Sequence, residues 1–106
     1  MDRILVALAA LFGGDAESDA AHWRAAAGCA EETRLGLYPD VSDWVAADRP
    51  DLAQVTDRLG PAEDTTETAD GTRLTYCLGY NIIDYDFWVV EFDAGGRFVG
   101  ATYVQG

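Results

Sequence analysis

The second half of the chain contains two runs in which apolar and polar residues alternate. In residues 72–78 the alternation separates Leu74, Tyr76 and Leu78 from Arg73, Thr75 and Cys77. In residues 87–93 it separates Trp88, Val90 and Phe92 from Phe87, Val89 and Glu91. A period of two residues is typical of a β-strand with one buried face, so both runs are predicted strands.

Turn signals join these strands to two others. Asp70-Gly71 predicts a two-residue hairpin turn, and the Thr-rich run 63–68 before it suits an edge strand. Residues 79–84 are predicted to form a loop between strands. Gly95-Gly96 is predicted to turn the chain into a last strand over residues 97–104. These signals predict an antiparallel meander of three or four strands.

A short helix is predicted directly before the meander. Asp51 and Gln54 have the spacing of a capping box, and the apolar stripe of residues 52–59 faces the sheet. Gly60-Pro61 ends the helix, with Gly60 expected in a left-handed conformation. Trp88 and Phe92 are expected to be the main core residues beneath this helix.

The first half predicts further helices. Residues 4–12 form an apolar helical stripe that Gly13-Gly14 ends, and an Ala-rich helix anchored by Trp23 runs from residue 18 or 19 to about residue 29. Pro39 is expected to break the chain before a short helix through Trp44. The predicted fold class is α+β, with helices on one face of the meander sheet and an extra N-terminal helix. Residues 1–33 are a helical extension and 34–106 the α+β domain, in one compact unit.

Residues 34–104 resemble the SmpA/OmlA (BamE-like) lipoprotein domain. The resemblance is carried by Val55, Leu59-Gly60-Pro61-Ala62, Gly71, Leu74-x-Tyr76-x-Leu78-Gly79, Val90-x-Phe92-Asp93-x-x-Gly96-Arg97-Phe98 and, upstream, Arg34-Leu35-x-Leu37-x-x-Asp40-Val41. It implies helices packed on an antiparallel sheet, as in one half of a β-lactamase-inhibitor-protein fold, and binding through the open sheet face. The chain departs from the family at Cys29, because the charged stretch before that residue does not form a lipobox.

The charge is strongly one-sided, with 19 acidic residues, seven arginines and no lysine, for a net charge of −12. Such a surface repels nucleic-acid phosphates and anionic membranes, so neither is an expected partner. The acids either keep the protein soluble or face a basic protein partner. The nine apolar residues 4–12 are too short to span a membrane, and they form either a structural helix or a signal segment.

Cys29 and Cys77 lie 48 positions apart. We expect two buried free thiols in a reducing, cytoplasmic compartment. The alternative is one disulfide between the helical half and the sheet, which would indicate a periplasmic or otherwise exported protein.

The sequence offers little catalytic or metal-binding chemistry. His22, the only histidine, lacks a third group that would orient it towards Cys29 as a nucleophile. Asn81, Asp84 and Asp86 lack the spacing of a calcium loop and are read as a solvated turn. We therefore expect no enzyme activity, no cofactor and no metal.

The second sheet face is more apolar than a solvated face should be. The predicted partner-binding residues on it are Phe87, Val89, Tyr103, Glu91 and Arg73. Either the apolar helix 4–12 covers this face, or the face binds a protein with a basic surface. The second alternative predicts an inhibitor, immunity or adaptor protein, and a homodimer is compatible with it. An exported accessory subunit of an envelope assembly is the other function considered.

Overall fold

A computed structural model describes residues 16–26, 29, 33–80 and 84–105. The described residues form three helices and then four strands: α1 (Ala16–Ala25), α2 (Thr33–Asp48), α3 (Leu52–Leu59), β1 (Asp64–Thr68), β2 (Gly71–Tyr80), β3 (Tyr85–Asp93) and β4 (Phe98–Gln105). The strands form one antiparallel sheet in the order β1-β2-β3-β4. The predicted α+β fold is therefore confirmed, while the predicted helix 4–12 lies outside the described residues.

A single core lies between the helices and one face of the sheet. Its buried members come from all three helices and from the central strands: Trp23, Val41, Val45, Val55, Leu59, Leu74, Tyr76, Leu78, Trp88, Val90 and Phe92. The face predicted from alternation is the one the helices cover, and Trp88 and Phe92 are 1% and 3% exposed. Trp23 of α1 is fully buried and meets the rings of Tyr76 and Trp88 edge-on.

Helix α3 begins and ends near the predicted residues. The backbone N–H of Gln54 donates to the Asp51 carboxylate (2.8 Å), and the Asp51 N–H donates to the Gln54 side chain (2.9 Å). Gly60 has a positive φ of 79°, as expected, but its ψ of −176° is extended rather than left-handed helical. Pro61 explains the difference, because a residue before proline is excluded from helical ψ values.

Pro39 does not break the chain, contrary to the prediction. It lies inside α2, a helix of 16 residues that begins at Thr33. Its side chain is exposed, so the ring meets water and the missing N–H costs one backbone hydrogen bond. Arg34, Val41 and Val45 of the same helix are buried, and this packing outweighs the local cost.

Gly71 is required for a different reason from the predicted one. The two turn residues are Ala69 and Asp70, because Thr68 pairs with Gly71 in the β1–β2 register. A Cβ atom on Gly71 would lie 1.9 Å from the carbonyl oxygen of Phe92. The glycine therefore allows close approach of the β3 backbone rather than a turn conformation.

Cys29 and Cys77 form a disulfide, with their Cα atoms 5.3 Å apart. The expectation of two free thiols is therefore wrong, and the alternative of a bond between the helical half and the sheet is confirmed. Helix α1 ends at Ala25, four residues before the predicted end, so Cys29 lies beyond the helix and reaches β2.

Candidate functional site: the open sheet face

The open face is the side of the sheet opposite the helices. Residues paired across antiparallel strands point to the same side of the sheet. The open face therefore contains Phe87, Val89 and Glu91 of β3 and the residues that the register aligns with this side on the other strands. Its members are Asp64, Thr66, Thr68, Gly71, Arg73, Thr75, Cys77, Tyr80, Tyr85, Phe87, Val89, Glu91, Asp93, Gly100, Thr102 and Val104. Of these, Cys77 is 1% exposed and is bonded to Cys29.

One end of the open face is apolar and aromatic. Tyr80 pairs with Tyr85 at the end of the β2–β3 ladder, and their ring centroids lie 5.2 Å apart. Val104 lies opposite Phe87, and Val89 follows on the same strand. Tyr80, Tyr85 and Val104 are 45%, 42% and 40% exposed. These five residues are called the open-face patch below.

The other end of the open face is polar. Arg73 lies opposite Glu91 in the register, and Nη2 of Arg73 is 3.8 Å from Oε2 of Glu91. Their side chains are 55% and 45% exposed, so solvent screens the attraction. Because the pair contributes little to stability, either charge can turn towards a partner at small cost.

The structure brings four of the five predicted binding residues together on this face. Phe87, Val89, Glu91 and Arg73 lie side by side on β2 and β3. Their role in binding stays a prediction, because geometry alone does not test it.

Tyr103 lies on the helix-covered face, so its predicted place on the open face is wrong. It pairs with Trp88, a core residue. The cause is a bulge at Val99: Phe98 pairs with Phe92, but Gly100 pairs with Glu91. One extra residue reverses the alternation for the rest of the strand.

Tyr103 instead forms a polar contact beside the core. Its hydroxyl donates a hydrogen bond to the carboxylate of Asp86, and its ring centroid lies 5.0 Å from that of Tyr38 on α2. Partial desolvation of its hydroxyl, followed by the hydrogen bond to Asp86, raises the pKa of Tyr103 to about 12. Asp86 is 2% exposed, so it does not belong to a solvated turn.

Three members of the open-face patch were missed from the sequence: Tyr80, Tyr85 and Val104. Extending the β3 alternation back by two residues would have found Tyr85. The β4 bulge hid Val104, since uninterrupted alternation from Phe98 assigns it to the core. Tyr80 follows a second irregularity, between Cys77 and Gly79 in the β2–β3 register.

An ion pair between a buried arginine and a partly exposed glutamate lies beside β2, where no described strand pairs with β2 beyond the end of β1. The Arg34 side chain is 1% exposed, and its Nη1 donates to Oε1 of Glu63 (2.6 Å) and to the carbonyl of Cys77 (3.3 Å). The same Glu63 oxygen accepts the Cys77 N–H at 2.7 Å. The guanidinium carbon also lies 5.0 Å from the Trp23 ring centroid. These contacts hold α2 against β2, so we assign Arg34 and Glu63 a role in stability.

A groove of about 720 Å³ runs on the helix side between α3 and the β1–β2 hairpin. Leu52, Ala62, Thr65 and Leu74 are among its lining residues. Within the described ranges, no group of three or more His, Cys, Asp or Glu side chains is arranged to hold a metal ion. In the same part of the chain, no helix has the length and apolar character needed to cross a bilayer.

No protein-family model matches this chain, and neither a curated protein nor a solved structure matches it significantly. The resemblance to the SmpA/OmlA domain therefore remains a prediction from turn and core residues.

Proposed function

We propose that this chain is a non-enzymatic protein-binding domain that acts through its open sheet face as an inhibitor, immunity or adaptor protein. The observation that carries the proposal is the open-face patch, where three large side chains are each at least 40% exposed. Solvent-exposed apolar groups that lie together and border charged residues are typical of interaction surfaces.

The patch has the chemistry of a binding hot spot. Tyrosine and phenylalanine bury a large area while losing few rotatable bonds, so they contribute much of the binding energy in many interfaces. The strand backbone holds Tyr85, Phe87 and Val89 in a fixed row, which reduces the entropy lost on binding.

The partner we propose is a protein with a basic surface. The chain carries a net charge of −12, which attracts a cationic protein and accelerates encounter. Glu91 lies beside the patch on the open face, where its charge would meet such a partner.

The disulfide favours the exported alternative over a cytoplasmic one. Disulfides persist in oxidising compartments and are rare in the reducing cytosol, and Cys29 is bonded to Cys77. An exported accessory subunit of an envelope assembly is therefore the second candidate function, and it would use the same open face. Isolation of the native protein from cell fractions distinguishes the compartments.

The test is affinity capture from extracts of the source organism with matched variants of the full chain. Phe87→Ala and Tyr85→Ala should each weaken binding of the captured partner by about 1–3 kcal/mol, because they truncate hot-spot side chains. Asp43→Ala, an exposed change on α2, is the control and should bind normally. A partner that binds all three variants like the parent chain would show that the open face is not the site.

Charge reversal tests the nature of the partner. Glu91→Arg should slow association with a basic protein, and added salt should partly remove the difference, since screening weakens steering. Asp43→Arg applies the same charge change on the helix side. If both variants slow association equally, the effect comes from net charge and not from the open face.

The remaining alternative is a lid formed by the apolar residues 4–12. Leu8→Asp and Phe12→Asp in the full chain would disrupt such a lid. If a lid covers the patch, these variants bind the partner more tightly. Unchanged affinity supports a face that is accessible without any movement of the N-terminal residues.

A further inference from the structure

The two edges of the sheet differ in their chemistry. Strand β1 carries two acids, Asp64 and Glu67, and no apolar residue. Strand β4 carries no charge over its eight residues, and Val99, Tyr103 and Val104 are 61%, 37% and 40% exposed. Charges on an edge strand discourage pairing with another chain, whereas an uncharged apolar edge invites it.

The rest of the β1 side is closed by side chains. Beyond Thr75, no strand of the described part of the chain pairs with β2 on that side, and the N–H and carbonyl of Cys77 are bonded to Glu63 and Arg34. A further strand would need these two backbone groups as hydrogen-bond partners. Among the described strands, β4 is thus the edge suited to strand addition, apart from Phe98, whose carbonyl accepts from Nη2 of Arg49 at 3.4 Å.

We propose that a second copy of this chain pairs with β4 in antiparallel fashion, joining two four-stranded sheets about a two-fold axis. In that arrangement β4 lies against itself, so each uncharged residue meets another uncharged residue of the same strand. Two copies with a net charge of −12 each repel one another. This repulsion is weakest along the β4 edge, because that strand has no charged residue.

The ends of the strand are also complementary. Two arginines flank its start: Arg97 precedes Phe98, and the Arg49 guanidinium lies 5.0 Å from the Phe98 ring centroid. Its other end lies beside the start of β3. There Gln105 pairs with Asp86, which is buried and bonded to Tyr103, and Asp84, two residues earlier, is exposed and supplies the acidic charge at this end. Antiparallel pairing brings the basic end of one copy towards the acidic end of the other, which opposes parallel or shifted pairing.

The dimer would extend the open face rather than cover it. A two-fold axis perpendicular to the sheet keeps both open faces on the same side. Residues that meet across the seam must then share a face, so Thr102 can lie opposite Thr102 and Val104 opposite Gly100, but neither can lie opposite Tyr103. Val104 lies near one end of β4, so the two open-face patches lie on the same surface of the dimer, towards opposite ends of the seam.

The test is sedimentation of the full chain over a concentration series from micromolar to millimolar. The parent chain should become dimeric within this range. Val99→Lys and Ala101→Lys each put a lysine on β4 of both copies, so like charges meet across the seam. Each variant should therefore stay monomeric over the same range. Thr66→Lys makes the same substitution on the exposed β1 edge and should dimerise like the parent.

Hydrogen exchange locates the contact. The β4 amides that do not pair with β3 should exchange slowly in the parent dimer and fast in the Val99→Lys monomer. A monomeric parent chain, dimers that survive both β4 substitutions, or fast β4 exchange in the dimer would each overturn the proposal. Thermal melting shows that each variant is folded. None of these substitutions falls in the open-face patch, so failure of the dimer and failure of partner binding are separate results.

Discussion

Arg34 and Glu63 form an ion pair beside the part of β2 that no described strand pairs with on its β1 side. Nη1 of Arg34 lies 2.6 Å from Oε1 of Glu63, and the two side chains together bond both backbone groups of Cys77. The Nε atom of Arg34 also donates to the carbonyl of Trp23 at 2.9 Å. One guanidinium thereby joins α1, α2 and β2.

Removing Arg34 should therefore lower the free energy of unfolding by much more than the loss of one charge would. Arg34→Met leaves the Cys77 and Trp23 carbonyls without this donor and Glu63 without its countercharge, so we expect a loss of about 3–5 kcal/mol. Denaturant unfolding measures it. Arg73→Met removes an arginine from the exposed Arg73–Glu91 pair and should cost no more than about 1 kcal/mol. Equal losses would contradict a special role for the Arg34–Glu63 pair.

Three glycines should respond differently to alanine. Gly71→Ala should destabilise most, because its Cβ would overlap the Phe92 carbonyl. Gly60→Ala should cost about 1–3 kcal/mol through backbone strain at φ 79°. Gly36 lies within α2 with nothing within 4 Å of a Cβ, so Gly36→Ala should stabilise by about 0.5–1 kcal/mol. Thermal unfolding of the three variants ranks their stabilities. A stabilising Gly71→Ala would show that the Gly71 backbone does not lie as close to the Phe92 carbonyl as described.

Tyr103 should make stability depend on alkaline pH. The pKa of its hydroxyl is raised from 10.0 to about 12 in the folded protein, so the unfolded state loses the proton first. Its contribution to stability is complete below pH 10 and decreases as pH rises towards about 12. Tyr103→Phe should remove this part of the pH dependence, measured by denaturant unfolding at several pH values. An identical profile for parent and variant would contradict the Tyr103–Asp86 hydrogen bond.

The disulfide should contribute strongly to stability. Closing a loop between cysteines 48 positions apart is worth about 4 kcal/mol by loop entropy. A reductant should lower the unfolding free energy of the parent chain by about this amount. It should leave a Cys29→Ala, Cys77→Ala double variant unchanged. Two free thiols in the intact mass of the oxidised protein would refute the bond.

Local signals predicted the sheet and α3 well because the physics there is local. The capping box needs only Asp51 and Gln54, and alternation needs only neighbouring residues. The strand faces of Trp88 and Phe92 followed directly from this pattern.

The errors arose where distant contacts override local preference. Pro39 is tolerated because α2 buries Val41 and Val45 on the other side of the helix. The Val99 bulge reverses the β4 alternation and moves Tyr103 to the helix side, yet nothing in the β4 sequence marks that extra residue. The joint role of Arg34 and Glu63 depends on residues far apart in the chain, and no local pattern reports it.

The meander order has a kinetic consequence. Each strand pairs with the next strand in sequence, so the sheet forms through short loops and does not wait for distant segments to meet. Disulfide formation takes seconds to hours, whereas hairpins form in microseconds. We therefore expect the chain to reach its native sheet while still reduced. The disulfide would then form after the sheet. It would slow unfolding and leave the refolding rate of β1–β4 unchanged.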